Sequence, residues 1–504
     1  MCWCAAEPPC CGAVLTTVTV SARVGRVHRA GGAGGVRTYG LSGRSGRPGT
    51  YRAQAYCVPG ACGKGGRGFY SERVSETNGH DDGRRSGSGP RAVVVGAGMA
   101  GVQTAVQLRE QGWPGSIRLI GEERHRPYDR PPLSKAVLLG TADHGDAREL
   151  AFDVDFAALG VELELGRRVT GLRTDERTLE TESGAVAYDR LVIATGAVPV
   201  TLPGAEGVPG VHALRTLDDA ARLRPLLAGR RAVAVVGAGW IGAEFATAAT
   251  EAGAPVTVLE AADHPLPGAL PPEVAEHMRG WYADSGAELR TGAPVAAVEE
   301  GAVLLADGGR VPADAVLVGI GARPATDWLA GSGVELDAAG AVRADERLRS
   351  SAPYVFAVGD CVSFPSARYG ERLLVHHWDN ALQGPRTVAA NIVHGDAAKG
   401  GPPEGEASEG GAVYDPVPYF WSEQFGRFVQ YAGHHSGDDR LVWRGDPEEA
   451  AWSVCWLRSG RLAAVLAVGR PRDLTQGRKL VERGLPVREE LVADPSVPLK
   501  SAAR

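Results

Sequence analysis

The chain of 504 residues is 44% hydrophobic and has a net charge of −6, so it is long enough for about two to four domains with sizeable cores. It contains no apolar run of about 18 residues, the minimum for a membrane-spanning helix. Residues 1–20 also lack the basic and apolar segments of a secretory signal. These features argue against a membrane span and predict a cytoplasmic protein.

Residues 1–89 differ in kind from the rest of the chain. They are rich in Gly, Arg and Ser, without helical or strand periodicity, and are therefore predicted to be a disordered extension. A misassigned start is the alternative, because Val74 opens a short polar segment just before the first predicted strand. The arginines are not interleaved with aromatic residues, so no nucleic-acid partner is predicted.

The cysteines are also unevenly distributed. Of the eight, six lie in this extension at spacings that match no zinc pattern, so no metal site is predicted. Only Cys361 and Cys455 lie beyond it, which argues against a disulfide framework. Cys361 is predicted to fill the core rather than to be redox active, because free cysteine commonly behaves as a small hydrophobe.

A glycine motif follows the first predicted strand. Gly96, Gly98 and Gly101 form G-x-G-x-x-G between an apolar run and a helical pattern at 102–111. Such glycines allow a tight turn, close approach to a pyrophosphate and close helix–strand packing. The next strand, 116–120, is followed by Glu122, at the spacing of a ribose-binding carboxylate. The segment is predicted to bind a dinucleotide.

The same pattern recurs later in the chain. Gly237, Gly239 and Gly242 follow a valine-rich strand and precede a predicted helix at 243–252. The strand at 256–259 ends at Glu260, which would bind ribose hydroxyls and repel the 2′-phosphate of NADPH. Two such sites in one chain predict two different nucleotides, and the second is predicted to be NADH.

These patterns predict an α/β protein with two Rossmann-like dinucleotide-binding domains and a C-terminal α+β domain. The first domain comprises 90–210 and 329–395, because the strand 354–360 ends in a carboxylate, Asp360, that requires a partner built earlier. The second comprises 211–328, reached through a Pro- and Gly-rich linker at 197–210. A polar stretch at 395–411 precedes the last domain, 412–504, in which apolar and polar residues alternate before a helix at 473–483.

The motifs, in order, are GAGMAG, RPPLSK, IATG, GAGWIGAE, GIGARP, AVGD and FWS. Over residues 91–500 the chain resembles the FAD-dependent pyridine nucleotide reductases, specifically the bacterial ferredoxin and rubredoxin reductases typified by putidaredoxin reductase. The resemblance implies a glutathione-reductase-like fold that passes hydride from NADH to FAD, and single electrons to a ferredoxin-type iron–sulfur protein feeding an oxygenase or a cytochrome P450. RPPLSK stands where disulfide reductases carry a redox-active cysteine pair, so electrons would leave FAD directly.

The resemblance also implies roles for individual residues. Those implied to contact FAD are Gly96, Gly98, Ala100, Gly101, Glu122, Arg130, Lys135, Val169, Asp360, His377, Trp378 and Trp421. Those assigned to NADH are Gly237, Gly239, Trp240, Gly242, Glu260 and Gly321. Lys135 and Glu244 are implied to meet beside the reacting flavin atom and are the predicted catalytic residues, with solvated side chains as the alternative. Core packing is the alternative for Trp378 and Trp421.

The chain departs from the family pattern near the flavin. Val198 and Val200 stand where relatives usually have arginines, and His376 replaces a usual acidic residue. A basic cluster near the C-terminus is either a solvated helix face or a docking surface for an acidic ferredoxin; its members are Arg470, Arg472, Arg478, Lys479 and Arg483.

Other functions of the same scaffold stay open. One is an NADH oxidase or a quinone or monodehydroascorbate reductase. Another is a flavoprotein that binds NADH chiefly to change conformation, as the similar apoptosis-inducing factors are thought to do. The chain is predicted to be a monomer or a homodimer.

Overall fold

The structure is a computed structural model that describes residues 89–140, 150–395 and 411–504. The predictions for residues 1–88, and for most of the polar boundary at 395–411, lie outside these ranges. Within them, no helix is both long enough and apolar enough to cross a membrane.

The described strands are β1 (Arg91–Val95), β2 (Ser116–Gly121), β3 (Val161–Leu165), β4 (Val169–Arg173), β5 (Thr178–Thr181), β6 (Val186–Ala187), β7 (Arg190–Ile193), β8 (Ala197–Pro199), β9 (Val211–His212), β10 (Val233–Val236), β11 (Val256–Leu259), β12 (Glu288–Arg290), β13 (Val295–Glu299), β14 (Ala302–Leu305), β15 (Arg310–Pro312), β16 (Ala315–Val318), β17 (Ala322–Pro324), β18 (Val342–Arg343), β19 (Val355–Ala357), β20 (Val362–Ser366), β21 (Glu371–Leu374), β22 (Tyr419–Gln424), β23 (Arg427–Gly433), β24 (Arg440–Arg444), β25 (Trp452–Arg458) and β26 (Arg461–Val468). The described α-helices are α1 (Met99–Glu110), α2 (Ala136–Leu139), α3 (Leu217–Ala228), α4 (Trp240–Glu251), α5 (Pro272–Asp284), α6 (Trp378–His394), α7 (Pro471–Arg483) and α8 (Glu489–Ala493).

The first sheet is parallel, with the strand order β19-β7-β1-β2-β3. Successive side chains of β1 point to opposite faces. Val94 packs with α1 and α6, whereas Val93 and Val95 pack with the antiparallel sheet of β4, β5 and β6. Both faces are therefore covered, which explains why Ala92 to Val95 form a continuous apolar run. Because β19 pairs with β7, the chain returns to this sheet after the second fold.

The second sheet repeats this plan. Its parallel strands are ordered β12-β11-β10-β16-β9. Val235 packs with residues of α4 and α5 on one face, and Val236 packs with the antiparallel sheet of β13, β14 and β15 on the other. The predicted α/β class with two Rossmann-like folds is confirmed.

Two local predictions were wrong. Helices α1 and α4 begin inside the glycine motifs, at Met99 and Trp240, rather than after them. The third glycine of each motif lies in the first helical turn, where the close contact with the turn makes glycine necessary. The segment 197–210 is also more than a linker, because β8 within it pairs with β17 in an antiparallel ribbon between the two folds.

The C-terminal sheet is antiparallel, with the order β22-β23-β26-β25-β24. The predicted alternation of apolar and polar residues was wrong for β25 and β26, which are buried along nearly their whole length. Trp456 on one face joins the core of α4 and α5, whereas Cys455 on the other joins the core of the first fold and α7. The sheet is thus covered on both faces.

Candidate functional site

The first glycine turn connects β1 to α1. A Cβ atom on Gly96, whose φ is +107°, would lie 2.2 Å from the carbonyl oxygen of Ala194, and one on Gly101 would lie 1.7 Å from the carbonyl oxygen of Gly96. Only glycine fits either position. Gly98 is the N-cap of α1 and provides no side-chain acceptor, so the first N–H groups of the helix are left to bind an anion such as a phosphate.

Arg130 lies across this turn. Its Nη1 atom would be 2.8 Å from a Cβ atom on Gly98, and its Nη2 atom donates to Glu123 Oε1 at 2.8 Å. Tyr128 Oη donates to the other oxygen of Glu123 at 2.6 Å, which fixes that carboxylate. Arg130 Nε is buried and has no hydrogen-bond partner among the described residues. A half-buried guanidinium with a buried spare donor beside a helix N-terminus fits a dinucleotide phosphate.

Glu122 and Val169 are the two residues that the resemblance assigns to the adenosine part of FAD. Glu122 directly follows β2 and is exposed, with its carboxylate paired to Arg168. Val169 is buried at the start of β4. Their contacts with the nucleotide stay predictions.

Asp360 lies in a 3-10 turn directly after β19. Gly359 has a φ of +82°, and a Cβ atom there would lie 3.0 Å from Ala100 Cβ, so this turn packs on the start of α1. Asp360 Oδ2 accepts a hydrogen bond of 2.9 Å from Arg215, which also donates to the carbonyl oxygen of Ala197 at 3.1 Å. Arg215 was not predicted. Arg215 directly precedes the capping box of α3. That local motif predicts a helix start but does not indicate the contact with Asp360.

The ribbon of β8 and β17 contains Val198 and leads to Val200, the two positions at which relatives usually have arginines. Val198 pairs with Arg323 in this ribbon, and the backbone N–H of Val200 donates to Gly321 at 3.0 Å. Arg215 also contacts this ribbon, through its hydrogen bond to the carbonyl oxygen of Ala197. Two arginines are therefore present beside this segment although residues 198 and 200 are apolar, and each is paired with a carboxylate, Arg215 with Asp360 and Arg323 with Asp327.

His377 belongs to an aromatic group at the N-terminus of α6. Its ring stacks on Phe420 at 4.7 Å between centroids, and Phe420 contacts Trp240 edge-on at 4.5 Å. Burial lowers the pKa of His377 to about 4, so the ring is neutral at physiological pH. Burial also lowers the pKa of His376, whose Nε2 atom is buried without a hydrogen-bond partner in the described ranges. Like Arg130 Nε, that atom is a buried polar atom that a ligand would satisfy.

Trp378 and Trp421 form the next part of this aromatic group. Their rings meet edge-on at 5.7 Å, and Trp378 Nε1 donates to Asp129 Oδ1 at 2.7 Å. Trp421 also stacks on Tyr419 at 6.1 Å. Both tryptophans are only partly buried, and their role as a flavin wall stays a prediction.

The second glycine turn has the geometry of the first. Gly237 has a φ of +101°, and a Cβ atom there would lie 2.5 Å from the carbonyl oxygen of Gly319. A Cβ atom on Gly242 would lie 2.1 Å from the carbonyl oxygen of Gly237. Gly239 is the N-cap of α4, again without a side-chain acceptor. The turn therefore offers a second phosphate site.

Glu260 follows β11 and is buried beside this turn. Its carboxylate accepts backbone hydrogen bonds from Ala238 at 2.8 Å and from Ala262 at 2.9 Å. The side chain thus fixes the glycine turn and also places a negative charge at the end of β11. Gly321, with a φ of +126°, lies in the loop that follows β16.

Lys135 and Glu244 form an ion pair, with Nζ and Oε2 separated by 2.8 Å. The side chain of Glu244 is 8% exposed and that of Lys135 is 23% exposed. Ser134 and Ser422 also donate to Glu244, at 2.5 and 2.7 Å. The predicted contact is present, and its catalytic role stays a prediction. The two serines lie in the motifs RPPLSK and FWS, but their contacts with Glu244 were not predicted.

Part of the C-terminal basic cluster is paired within the protein. Arg470 donates to the buried Asp473 at 2.5 Å, and Arg478 donates to Asp379, beside Trp378, at 3.1 Å. The other members are exposed on α7, namely Arg472, Lys479 and Arg483. The docking surface, if α7 forms one, therefore depends on these three charges.

Cys361 is fully buried against the carbonyl oxygens of Ile193 and Val358. Burial raises the pKa of its thiol, which disfavours the reactive thiolate. These contacts support core packing as its role.

Two protein families match successive parts of the chain. Residues 90–384 match the pyridine nucleotide-disulphide oxidoreductases, and residues 419–503 match the reductase C-terminal family. The chain is 36% identical over 420 residues to putidaredoxin reductase CamA of Pseudomonas putida, covering 81% of this chain and 95% of that protein. It is 34% identical over 420 residues to rhodocoxin reductase of Rhodococcus erythropolis, covering 81% and 93%.

Solved structures show the same likeness. The structure of Fdr9 is matched with a TM-score of 0.74 and 43% identity, covering 81% of this chain and 99% of that one. The covalent putidaredoxin reductase–putidaredoxin complex is matched with a TM-score of 0.74 and 34% identity, covering 82% and 98%.

Proposed function

Because the chain belongs to the pyridine nucleotide-disulphide oxidoreductase family, we propose that it is an FAD-dependent NADH:ferredoxin reductase. It would pass single electrons to an iron–sulfur protein, which in turn feeds an oxygenase or a cytochrome P450. The observation that carries the proposal is the Lys135–Glu244 ion pair, because it joins the two dinucleotide folds at one point. The likeness to putidaredoxin reductase over 95% of that protein supports the same function.

Bound FAD would supply the conversion between a two-electron hydride and single electrons. The chain's own residues bind and orient the nucleotides. Arg130 and the start of α1 hold the phosphates of FAD, and the start of α4 holds those of NADH. Lys135 keeps a positive charge in the cleft between them, and Glu244 offsets the cost of burying that charge.

The proposal is tested by steady-state NADH oxidation with three acceptors: a [2Fe–2S] ferredoxin, a quinone and oxygen. We expect ferredoxin to be reduced at least about tenfold faster than the other two, a difference of about 1.4 kcal/mol in barrier. Turnover that is equally fast with oxygen or quinone alone would favour an oxidase or a quinone reductase. NADH binding without turnover would favour a conformational role.

Glu260 is expected to give a preference for NADH over NADPH. The Glu260→Gln change removes the negative charge and one of the two backbone hydrogen bonds that the carboxylate accepts. The ratio of kcat/KM for NADH to that for NADPH should therefore fall about tenfold, or ~1.4 kcal/mol. The charge-matched control is Glu288→Gln on β12, which is exposed and should leave the ratio unchanged. An unmodified protein that prefers NADPH would contradict the assignment.

The exposed charges of α7 are proposed to steer an acidic ferredoxin. Lys479→Glu should lower the association rate with ferredoxin severalfold at low salt, without changing reduction of ferricyanide. The effect should fade as salt rises, because exposed charges are screened over about 8 Å at physiological ionic strength. Arg310→Glu on β15, also exposed, is the control. Equal losses with both acceptors would indicate a defect other than docking.

We further propose that the protein is cytoplasmic. Cys361 and Cys455, the two cysteines in the described ranges, are both free thiols, as is usual in a reducing compartment. Whether the protein is a monomer or a homodimer stays a prediction.

A further inference from the structure

Glu244 receives hydrogen bonds from two other parts of the protein. Its carboxylate belongs to α4 of the second fold and is buried. Oε2 accepts from Lys135 and Ser134, which belong to the RPPLSK segment of the first fold. Oε1 accepts from Ser422 of the C-terminal sheet. One carboxylate therefore connects both nucleotide-binding folds to the C-terminal sheet.

Ser422 is itself held in a defined orientation. It lies on β22, is 1% exposed, and accepts a hydrogen bond of 3.1 Å from the buried Gln424. Its hydroxyl proton is thus directed at Glu244. The backbone N–H of Phe425 donates to Thr247 at 2.9 Å, so a second hydrogen bond joins the same end of β22 to α4.

The arrangement determines how Glu244 acts on Lys135. A buried carboxylate that loses one donor retains the full desolvation cost of the unpaired oxygen, and its charge is then balanced only by the donors that remain, Lys135 and Ser134. Loss of the Ser422 bond would leave Oε1 unpaired and place more negative charge against the Lys135 ammonium. The positive charge that Lys135 offers the flavin would then be more strongly offset.

We propose that Ser422 is a positioning residue that sets the Lys135–Glu244 pair, and that the C-terminal sheet thereby tunes hydride transfer. This inference rests on the proposed function. It also gives the C-terminal sheet a direct role at the hydride-transfer site, besides the aromatic residues Phe420 and Trp421 that the same strand places against α6.

The test compares Ser422→Ala with Ser363→Ala. Both serines are 1% exposed, but the Ser363 hydroxyl has no hydrogen-bond partner among the described residues. Two quantities are measured on the FAD-loaded protein: the rate of flavin reduction by NADH without oxygen, and the flavin midpoint potential in the absence of NADH. Each is measured in the unmodified and the Glu244→Gln backgrounds.

We expect Ser422→Ala to slow flavin reduction about tenfold and to lower the midpoint potential, with no change for Ser363→Ala. In the Glu244→Gln background the effect of Ser422→Ala should disappear, because the residue acts through that carboxylate. An unchanged rate and potential, or an effect of equal size in the Glu244→Gln background, would overturn the proposal.

Two further results would also decide the role of Ser422 or the proposed function. If Ser422→Ala does not retain FAD, Ser422→Thr is used instead, because it keeps the hydroxyl. A midpoint potential like that of the unmodified protein would support the proposal. A potential as low as that of Lys135→Met would overturn it. If NADH does not reduce even the unmodified protein, the proposed function fails. The midpoint potential needs no NADH and still decides the role of Ser422.

Discussion

Gly96→Ala is expected to give a protein without FAD, whereas Gly237→Ala is expected to give an FAD-loaded protein that NADH no longer reduces. Each change forces a Cβ atom against a carbonyl oxygen, at 2.2 Å in the first turn and 2.5 Å in the second, at a positive φ. Backbone must move in either case, and the helix N–H groups move with it. The flavin absorbance of the purified proteins and titration with NADH measure the two effects.

The control separates the clash from the backbone conformation. Gly286 has a φ of +85° but open space around its Cβ position, so Gly286→Ala carries only the conformational cost of about 1 kcal/mol. It should retain both FAD and NADH binding. FAD retention by Gly96→Ala, or normal NADH binding by Gly237→Ala, would contradict the assignment of the two turns to the two nucleotides.

Lys135→Met is expected to slow flavin reduction by NADH about tenfold to a hundredfold, a change of about 1.4 to 2.7 kcal/mol in barrier. The change also leaves Glu244 as a buried carboxylate without its cation. The flavin midpoint potential should fall, because reduction adds negative charge where a positive charge has been removed. Rapid-mixing absorbance without oxygen measures the rate, and redox titration measures the potential.

Lys500→Met serves as the matched control, because Lys500 is exposed near the C-terminus and should leave both quantities unchanged. Glu244→Gln should change NADH access more than FAD retention, since Glu244 lies on the helix of the second fold. A Lys135→Met protein with the rate and potential of the unmodified protein would show that the ion pair is structural only.

The glycine turns were predictable because the motif and its function lie within a few adjacent residues. The contact between Lys135 and Glu244 followed from the family resemblance rather than from spacing, since 109 residues separate them. Arg215 and Ser422 were missed. Their partners, Asp360 and Glu244, are 145 and 178 residues away, and no local pattern indicates such a contact.

The error in the C-terminal sheet has a physical origin. Alternation of apolar and polar residues predicts a sheet with one solvent-facing side. β26 does not follow that rule, because Leu466 packs toward the second fold and Val465 packs toward the first fold and α7. Whether other helices or sheets cover one face of a sheet or both depends on the whole chain. The local periodicity of a strand therefore cannot predict it.

The conversion of one hydride into two single electrons is tested most directly by a single turnover without oxygen. The FAD-loaded protein is reduced with one equivalent of NADH and then mixed with an excess of oxidised [2Fe–2S] ferredoxin, while flavin and iron–sulfur absorbance are followed together. We expect two ferredoxin molecules to be reduced for each flavin reoxidised. Reduced flavin that persists beside oxidised ferredoxin, and reoxidises only when oxygen or a quinone is added, would contradict the proposed function.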